Sequence, residues 1–146
     1  MSDRPGVGVG VIVRRGDDVL LVRGQHHGRG AWATPGGYLE RGESFSACAE
    51  REVREETGIV LRDVRVVAVA NDIHPNGKHN VTIWLTGEAD GEPIVAAPDE
   101  LDRAAWFDRR HLPANLYLPT RNFVEGRANP PDAARALGLA PPAGPT

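Results

Sequence analysis

The sequence predicts an α/β fold, on three observations. Gly6 to Val13 reads Gly-Val-Gly-Val-Gly-Val-Ile-Val, the period-two alternation of a strand. Ser44 to Gly58 encloses a stretch free of Gly and Pro, with an N-cap residue at one end and a helix-stopping glycine at the other. Val64 to Ala70 and Val81 to Leu85 are β-rich runs on either side of a segment holding Pro and Asn-Gly. At 146 residues, 40% apolar and 25% charged, the chain has an ordinary globular composition. A domain of that length buries roughly two-thirds of its unfolded surface, enough for a core without metal or disulfide staples.

The elements follow in order. The first strand sets Val7, Val9, Val11 and Val13 on one face and glycines on the other, where something is expected to approach the backbone closely. Its glycines are not a dinucleotide fingerprint, because Val11 takes the third glycine's place and no helix follows. Arg15 to Asp18 turns the chain into Val19 to Val22, an antiparallel hairpin. Gln25 to Gly30 is a polar loop, Ala31 to Thr34 a short strand, and Gly36-Gly37 a turn. In the helix Phe45 to Thr57, the residues Phe45, Ala49 and Val53 recur every four positions as the buried stripe; Cys48 lies alongside as a small core residue and Glu56 is expected to be exposed. The two β-rich runs form a hairpin across Asn71 to Lys78, Ala104 to Phe107 is a last strand, and Asp108 to Leu112 is a turn of helix closed by Pro113. One domain is expected over 1–128. The tail 129–146 carries five of the twelve prolines, so it is expected to bury little and to be mobile, apart from a short helix at Asp132 to Leu137.

Composition also excludes classes of function. No apolar run approaches the roughly 20 residues of a membrane-spanning helix. A net charge of −3 supplies no basic stripe for a DNA or RNA polymer, although a free nucleotide carried with its own metal needs none. The single cysteine cannot form an intrachain disulfide and no leader pattern is visible, so a cytoplasmic location is expected.

The helix holds a feature that packing does not explain. Glu52 lies three residues before Glu55 and four before Glu56, so the three carboxylates share one surface at a cost of about 0.2–0.5 kcal/mol per i,i+4 pair. Glu55 and Glu56 also sit at the negative end of the helix dipole, a further 0.3–1 kcal/mol or so each. A solvated face laced by Arg51 and Arg54 would account for part of this. Gly36-Gly37 upstream could add backbone carbonyl oxygens, completing an all-oxygen site of the kind Mg²⁺ or Mn²⁺ prefers, with phosphates supplying further ligands. Zinc fits less well, because His26, His27, His74, His79 and His111 show no spacing that would hold it together with Cys48.

Gly37, five residues, Glu43, seven residues, then Arg51-Glu52-Val53-Arg54-Glu55-Glu56-Thr57-Gly58-Ile59 resembles the Nudix box of the MutT-like Nudix hydrolases at every specified position. The resemblance implies a Nudix-type α/β/α sandwich around a mixed sheet, and hydrolysis of a nucleoside diphosphate linked to another moiety. Carried over by position, it makes Glu52, Glu55, Glu56 and the Gly36 carbonyl a site for Mg²⁺ or Mn²⁺, and Arg51 and Glu43 an ion pair that orients the catalytic helix. Glu52 or Glu56 would be the general base, with Asp99 and Glu100 as further candidates.

Segments around the box, Val7-Gly8-Val9, Pro35 to Glu40, Val69 to Asn71, His79 to Ile83 and Trp106 with Leu112-Pro113, resemble the nucleoside triphosphate diphosphatases of the nucleotide-pool sanitising type, which release a nucleoside monophosphate and pyrophosphate. Thr34 stands where Leu is usual, altering the floor near the base. Trp32, Tyr38, Asn71 and Trp84 could form the base pocket, with Asn71 reading the base edge and Trp84 equally a core residue. His79 would bond a phosphate or cap the hairpin, and Glu100 would reach the substrate. The alternative substrate is ADP-ribose or another nucleoside-diphosphate sugar, since Pro75, sixteen residues after the box, resembles a marker of that subgroup. A non-catalytic nucleotide-binding regulator is a third reading, but it gives no reason to crowd three glutamates together. The expected partner is a small-molecule nucleotide; a homodimer stays open.

Overall fold

The computed structural model of the chain describes residues 3–24 and 30–142. The elements are β1 (Gly6–Arg15), β2 (Asp18–Gly24), β3 (Trp32–Ala33), β4 (Gly36–Tyr38), α1 (Phe45–Thr57), β5 (Arg62–Ile73), β6 (His79–Glu88), β7 (Leu101–Asp108), α2 (Leu118–Val124) and α3 (Ala133–Ala136). The predicted loop at Gln25 to Gly30, with His26 and His27, lies almost wholly outside the described residues.

The alternation of β1 divides the molecule into layers. Val9, Val11 and Val13 face one side and pack with Leu20, Leu85 and the α1 residues Cys48, Ala49 and Val53. Ile12 faces the other, with Val19, Leu21, Trp84 and the α2 residue Phe123. Helix α1 therefore covers one face of the sheet and α2 the other. The sheet has seven strands in the order β3-β2-β1-β6-β5, with β4 added to β1 and β7 to β2. β1 and β6 run parallel from Gly6↔Asn80 to Arg14↔Glu88 while every other pairing is antiparallel, so the sheet is mixed and the α/β/α expectation holds.

The α1 caps form as the sequence predicts. Ser44 Oγ accepts from the Ala47 N–H at 3.0 Å, and Gly58, at φ 73°, donates its N–H to the Arg54 carbonyl at 2.9 Å. The inward stripe differs at its start: Cys48, Ala49, Val53, Glu56 and Thr57 are buried, whereas Phe45 is 40% exposed and joins neither core cluster.

Four further expectations are corrected. Gly36-Gly37 is not a turn but part of β4, in register Gly10↔Gly36 and Val9↔Gly37. The backbones lie so close that a Cβ on Gly36 would stand 2.1 Å from the Val9 carbonyl oxygen. β5 extends through Ile73, shortening the hairpin connection, because Asp72 turns inward and finds partners there: Thr82 Oγ1 donates to it at 2.6 Å and Asn122 Nδ2 at 2.8 Å. Asp108 to Leu112 is a turn rather than a helix. Asp108 Oδ1 accepts from the Arg110 N–H at 2.9 Å, offering the backbone an alternative to helical bonding. The helix comes later, at α2, with Pro119 in its first turn.

The tail packs onto the sheet instead of burying little, and the short helix expected within it forms as α3. Ala133, Ala134, Leu137 and Leu139 are buried in the Trp84–Phe123 core, and Asn129 exchanges backbone hydrogen bonds of 3.0 and 2.8 Å with Val69 on β5. Its apolar residues are few but spaced to reach one layer, which the proline count conceals. Among the described residues no helix is long and apolar enough to cross a membrane.

Candidate active site

The last two turns of α1 run beneath β4. Gly37 leaves room for the Glu52 carboxylate, which would lie 2.5 Å from a Cβ at that position. The Gly36 N–H donates to Glu56 Oε2 at 3.1 Å. Contrary to the sequence expectation, Glu56 is only 6% exposed, because the two glycines of β4 close over it; Glu52 is likewise largely covered. Glu55 faces outward and, among the described residues, pairs with Arg51 at 3.3 Å.

Arg51 ties this helix to its surroundings. Its Nε and Nη2 donate to the two Glu43 oxygens at 2.6 and 3.0 Å in a bidentate pair, Nη1 donates to Glu52 at 2.8 Å, and Nη2 to the Tyr38 carbonyl at 3.1 Å. Glu43 also accepts the Glu40 N–H at 3.0 Å. The Arg51 guanidinium, with that backbone donor, holds the Glu43 pKa down to about 2, while Glu43 keeps Arg51 above the ordinary arginine value. Burial, with Glu43 close by, pushes the Cys48 thiol up to about 12.

The floor glutamates behave oppositely. Burial raises Glu52 despite the hydrogen bond and charge of Arg51. Burial raises Glu56 well above the usual carboxylate range; the Gly36 N–H opposes this, and the charges of Glu52 and Glu100 add to it. One arginine thus serves several carboxylates, leaving an excess of negative charge in a covered place. That donor chemistry fits a divalent hard cation. Among the described residues no three acidic, His or Cys side chains converge tightly enough to hold an ion alone. The fit is therefore to an ion such as Mg²⁺, which keeps waters and shares its shell with backbone and phosphate oxygens.

Above this floor opens a cleft of 550 Å³, lined by Gly8, Gly10, Thr34, Gly36, Gly37, Tyr38, Glu40, Glu52, Glu56, Lys78, Asn80, Thr82, Trp84, Glu100, Tyr117 and Thr120 among others. The glycine face of β1 is its floor. Trp84 lies beneath Gly10, where a Cβ would come within 2.6 Å of the indole, and stacks on Phe123 at 4.4 Å between ring centroids.

The sequence pattern of the NUDIX domain matches residues 4–126. The chain belongs to the Nudix domain family. This Nudix domain is 36% identical over 132 residues to the NAD-capped RNA hydrolase NudC of Stutzerimonas stutzeri (strain A1501), an alignment covering 90% of this chain and 46% of that protein. The chain spans about half the length of the curated relatives it matches. The crystal structure of a MutT NUDIX hydrolase from Burkholderia pseudomallei superposes with a TM-score of 0.73 at 32% identity, covering 82% of this chain and 95% of that one. That of an ADP-ribose pyrophosphatase from Streptococcus suis does so with a TM-score of 0.64 at 27% identity, covering 80% and 83%.

Within this Nudix domain, the residues singled out from the sequence separate into two groups. Gly36, Tyr38, Glu52, Glu56 and Glu100 come together at the cleft, with Arg51 and Glu43 directly behind it; Glu55, expected as a metal ligand, is exposed and is not among the lining residues. Trp32, Asn71, His79 and Asp99 are not among the lining residues. Trp32 packs edge-on against Phe107 at 4.8 Å, and the side chains of Asn71 and His79 bond each other across the β5–β6 hairpin. Trp84 serves both as core and as cleft floor. Sequence reasoning missed Lys78, Asn80, Thr82, Tyr117 and Thr120. Thr120 Oγ1 accepts the Thr34 N–H at 3.0 Å, tying α2 to the cleft wall, and the Pro119 start signal of that helix is the one cue that could have located it.

Proposed function

We propose that this Nudix domain hydrolyses a phosphoanhydride bond in a nucleoside diphosphate linked to a further group, with Mg²⁺ or Mn²⁺ at Glu52, Glu56 and the Gly36 backbone and the exposed Glu55 on the same helix. The carrying observation is the buried Glu56 and the largely covered Glu52, beneath the Gly36-Gly37 strand at the floor of an open cleft. The cation, when bound, neutralises phosphate charge and lowers the pKa of water. The chain's own residues do the rest. Arg51 and Glu43 fix the helix against the Tyr38 carbonyl, and the Gly36 N–H fixes one oxygen of Glu56. Water attacks phosphorus, the bridging P–O bond breaks, and the water proton passes to Glu56 or Glu52, with Glu100 facing the same space.

The finer reading is cleavage of a nucleoside triphosphate to monophosphate and pyrophosphate. It is supported by the likeness of the strands around the box to the triphosphate diphosphatases and by Lys78, a cation in an otherwise acidic cleft. The second reading, a nucleoside-diphosphate sugar or dinucleotide substrate, is favoured by the relatives named for NAD-capped RNA and ADP-ribose. A panel of nucleoside triphosphates, ADP-ribose and NADH, incubated with Mg²⁺ or Mn²⁺ and analysed for products, tests both. Pyrophosphate from a triphosphate supports the first; nucleoside monophosphate from ADP-ribose or NADH without any from triphosphates replaces it with the second. No turnover of either class overturns the assignment.

A further inference from the structure

Four acidic residues, Glu40, Glu52, Glu56 and Glu100, line the cleft, and Lys78 is the one basic residue among the described lining. An ammonium in such surroundings is expected to collapse onto a carboxylate. Lys78 does not: it pairs with no carboxylate of the described residues, and instead its Nζ stands 5.5 Å from the centre of the Tyr38 ring. The Tyr38 side chain also raises its pKa above the ordinary lysine value, so it is charged at neutral pH.

The placement is built by the backbone. Tyr38 on β4 crosses over Gly6 of β1, where a Cβ would come within 2.9 Å of the ring, and its hydroxyl donates to Asn80 Oδ1 on β6 at 3.3 Å. The turn that carries Lys78 is closed by the His74 N–H donating to the Lys78 carbonyl at 2.8 Å, by the Lys78 N–H donating to Asn76 Oδ1 at 2.9 Å, and by Gly77 at φ 91°. Glycine, phenol ring and ammonium thus stack at one end of the cleft. The Glu52 carboxylate sits under Gly37, on the α1 side of β4.

We propose that Lys78, held over Tyr38 and beside Asn80, is a subsite for a second phosphate group of the substrate, apart from the phosphates that the cation at Glu52 and Glu56 would hold. This rests on the cleft being a nucleotide site and adds to it the feature by which substrates are told apart. The phosphate comes from one of two sources: the terminal group of a triphosphate, or a phosphate borne on a ribose. A charge-assisted hydrogen bond to one group separates ligands that carry it from ligands that lack it.

The test is equilibrium binding by isothermal titration in EDTA at low salt, where affinity for anions must come from the chain itself. The ligand pairs are ATP against ADP and NADPH against NADH, and the proteins are wild type, Lys78→Met and Lys78→Arg. Lys78 is exposed on its turn, so both variants fold, as circular dichroism will check. Lys78→Met is expected to lower the affinity ratio within one pair about tenfold, corresponding to about 1.4 kcal/mol, and Lys78→Arg to restore most of it. A fall confined to ATP/ADP assigns the terminal phosphate, and one confined to NADPH/NADH the ribose phosphate. Ratios unchanged in both pairs, or wild type binding none of these ligands, overturn the subsite. Absence of turnover with Mg²⁺ would sink the hydrolase assignment and leave these ratios to judge Lys78 separately.

Discussion

Replacing Gly37 by Ala should damage turnover far more than folding. The new Cβ would stand 2.5 Å from the Glu52 carboxyl carbon and 2.5 and 2.6 Å from its oxygens. Ordinary contact begins near 3.5 Å, so the carboxylate must recede by about 1 Å. It is the mobile end of a side chain and can do so, at the expense of the 2.8 Å bond from Arg51, which keeps both of its bonds to Glu43. Losing a charge-assisted bond costs up to about 1.5–3 kcal/mol, and the Gly→Ala change returns about 0.4–1 kcal/mol by restricting the unfolded chain. The melting temperature should therefore fall by at most about 10 °C, at about 2–4 °C per kcal/mol for a chain this size. A displacement of about 1 Å in a catalytic constellation costs on the order of 100-fold in rate. Gly10→Ala is the contrast: its Cβ would meet the buried Trp84 indole at 2.6 Å, a ring stacked on Phe123 that cannot retreat, and overpacking of this kind costs about 1–3 kcal/mol of stability. Steady-state kcat/KM with Mg²⁺ and thermal unfolding of both variants decide. Gly37→Ala retaining kcat/KM within about threefold of wild type would refute the role given to Glu52.

Glu56→Gln should reduce turnover by about 100-fold or more while leaving metal-free thermal stability equal or higher, because the amide still accepts the Gly36 N–H and removes a buried charge that Glu52 and Glu100 disfavour; a large drop in melting temperature would contradict this. The Glu43–Arg51 pair should make stability acid-sensitive. With a folded pKa of about 2 against an ordinary value of 4.5, its contribution is complete above pH 4.5 and is lost as pH falls from there toward 2. Denaturant titrations across that window should show a shallower pH slope in Glu43→Gln, and identical slopes would refute it. Cys48, fully buried and with its thiol raised to about 12, should resist alkylation at pH 8 in the native protein and react on unfolding; rapid native labelling would disprove the burial.

How legible the molecule is in its sequence depends on how local the causes are. α1 is readable because everything that makes it, the Ser44 cap, the Gly58 stop and an unbroken interior, lies within one segment. The carboxylate cluster is readable for the same reason, since i,i+3 and i,i+4 spacing fixes a shared surface before any packing is known. The depth of Glu56 is not, because it is set by β4 arriving from another part of the chain, and glycines that read as a turn in isolation act here as a strand able to approach β1. Asn71 reads as a base-edge reader from its place at a strand end, yet strand parity points its side chain to the face where it meets His79, which takes the hairpin side of its two readings. The C-terminal segment is the hardest case.

There the polar groups do what an apolar count cannot reveal. Asp72 is fully buried, and its two oxygens are taken by Thr82 on β6, a cleft residue, and by Asn122 on α2, which in turn accepts from Arg127 at 3.1 Å. α2 also brings Thr120 to Thr34, and the segment after it reaches back through Asn129 to Val69. A buried carboxylate is tolerable only where its partners are fixed, so this network commits α2, and with it the Thr120 wall of the cleft, to one position on the sheet. The cleft is thus closed by residues far in sequence from the box that supplies its carboxylates. The carboxylates of the cleft come from one short motif, whereas one wall of the space above them, at Tyr117 and Thr120, is supplied by the last third of the chain.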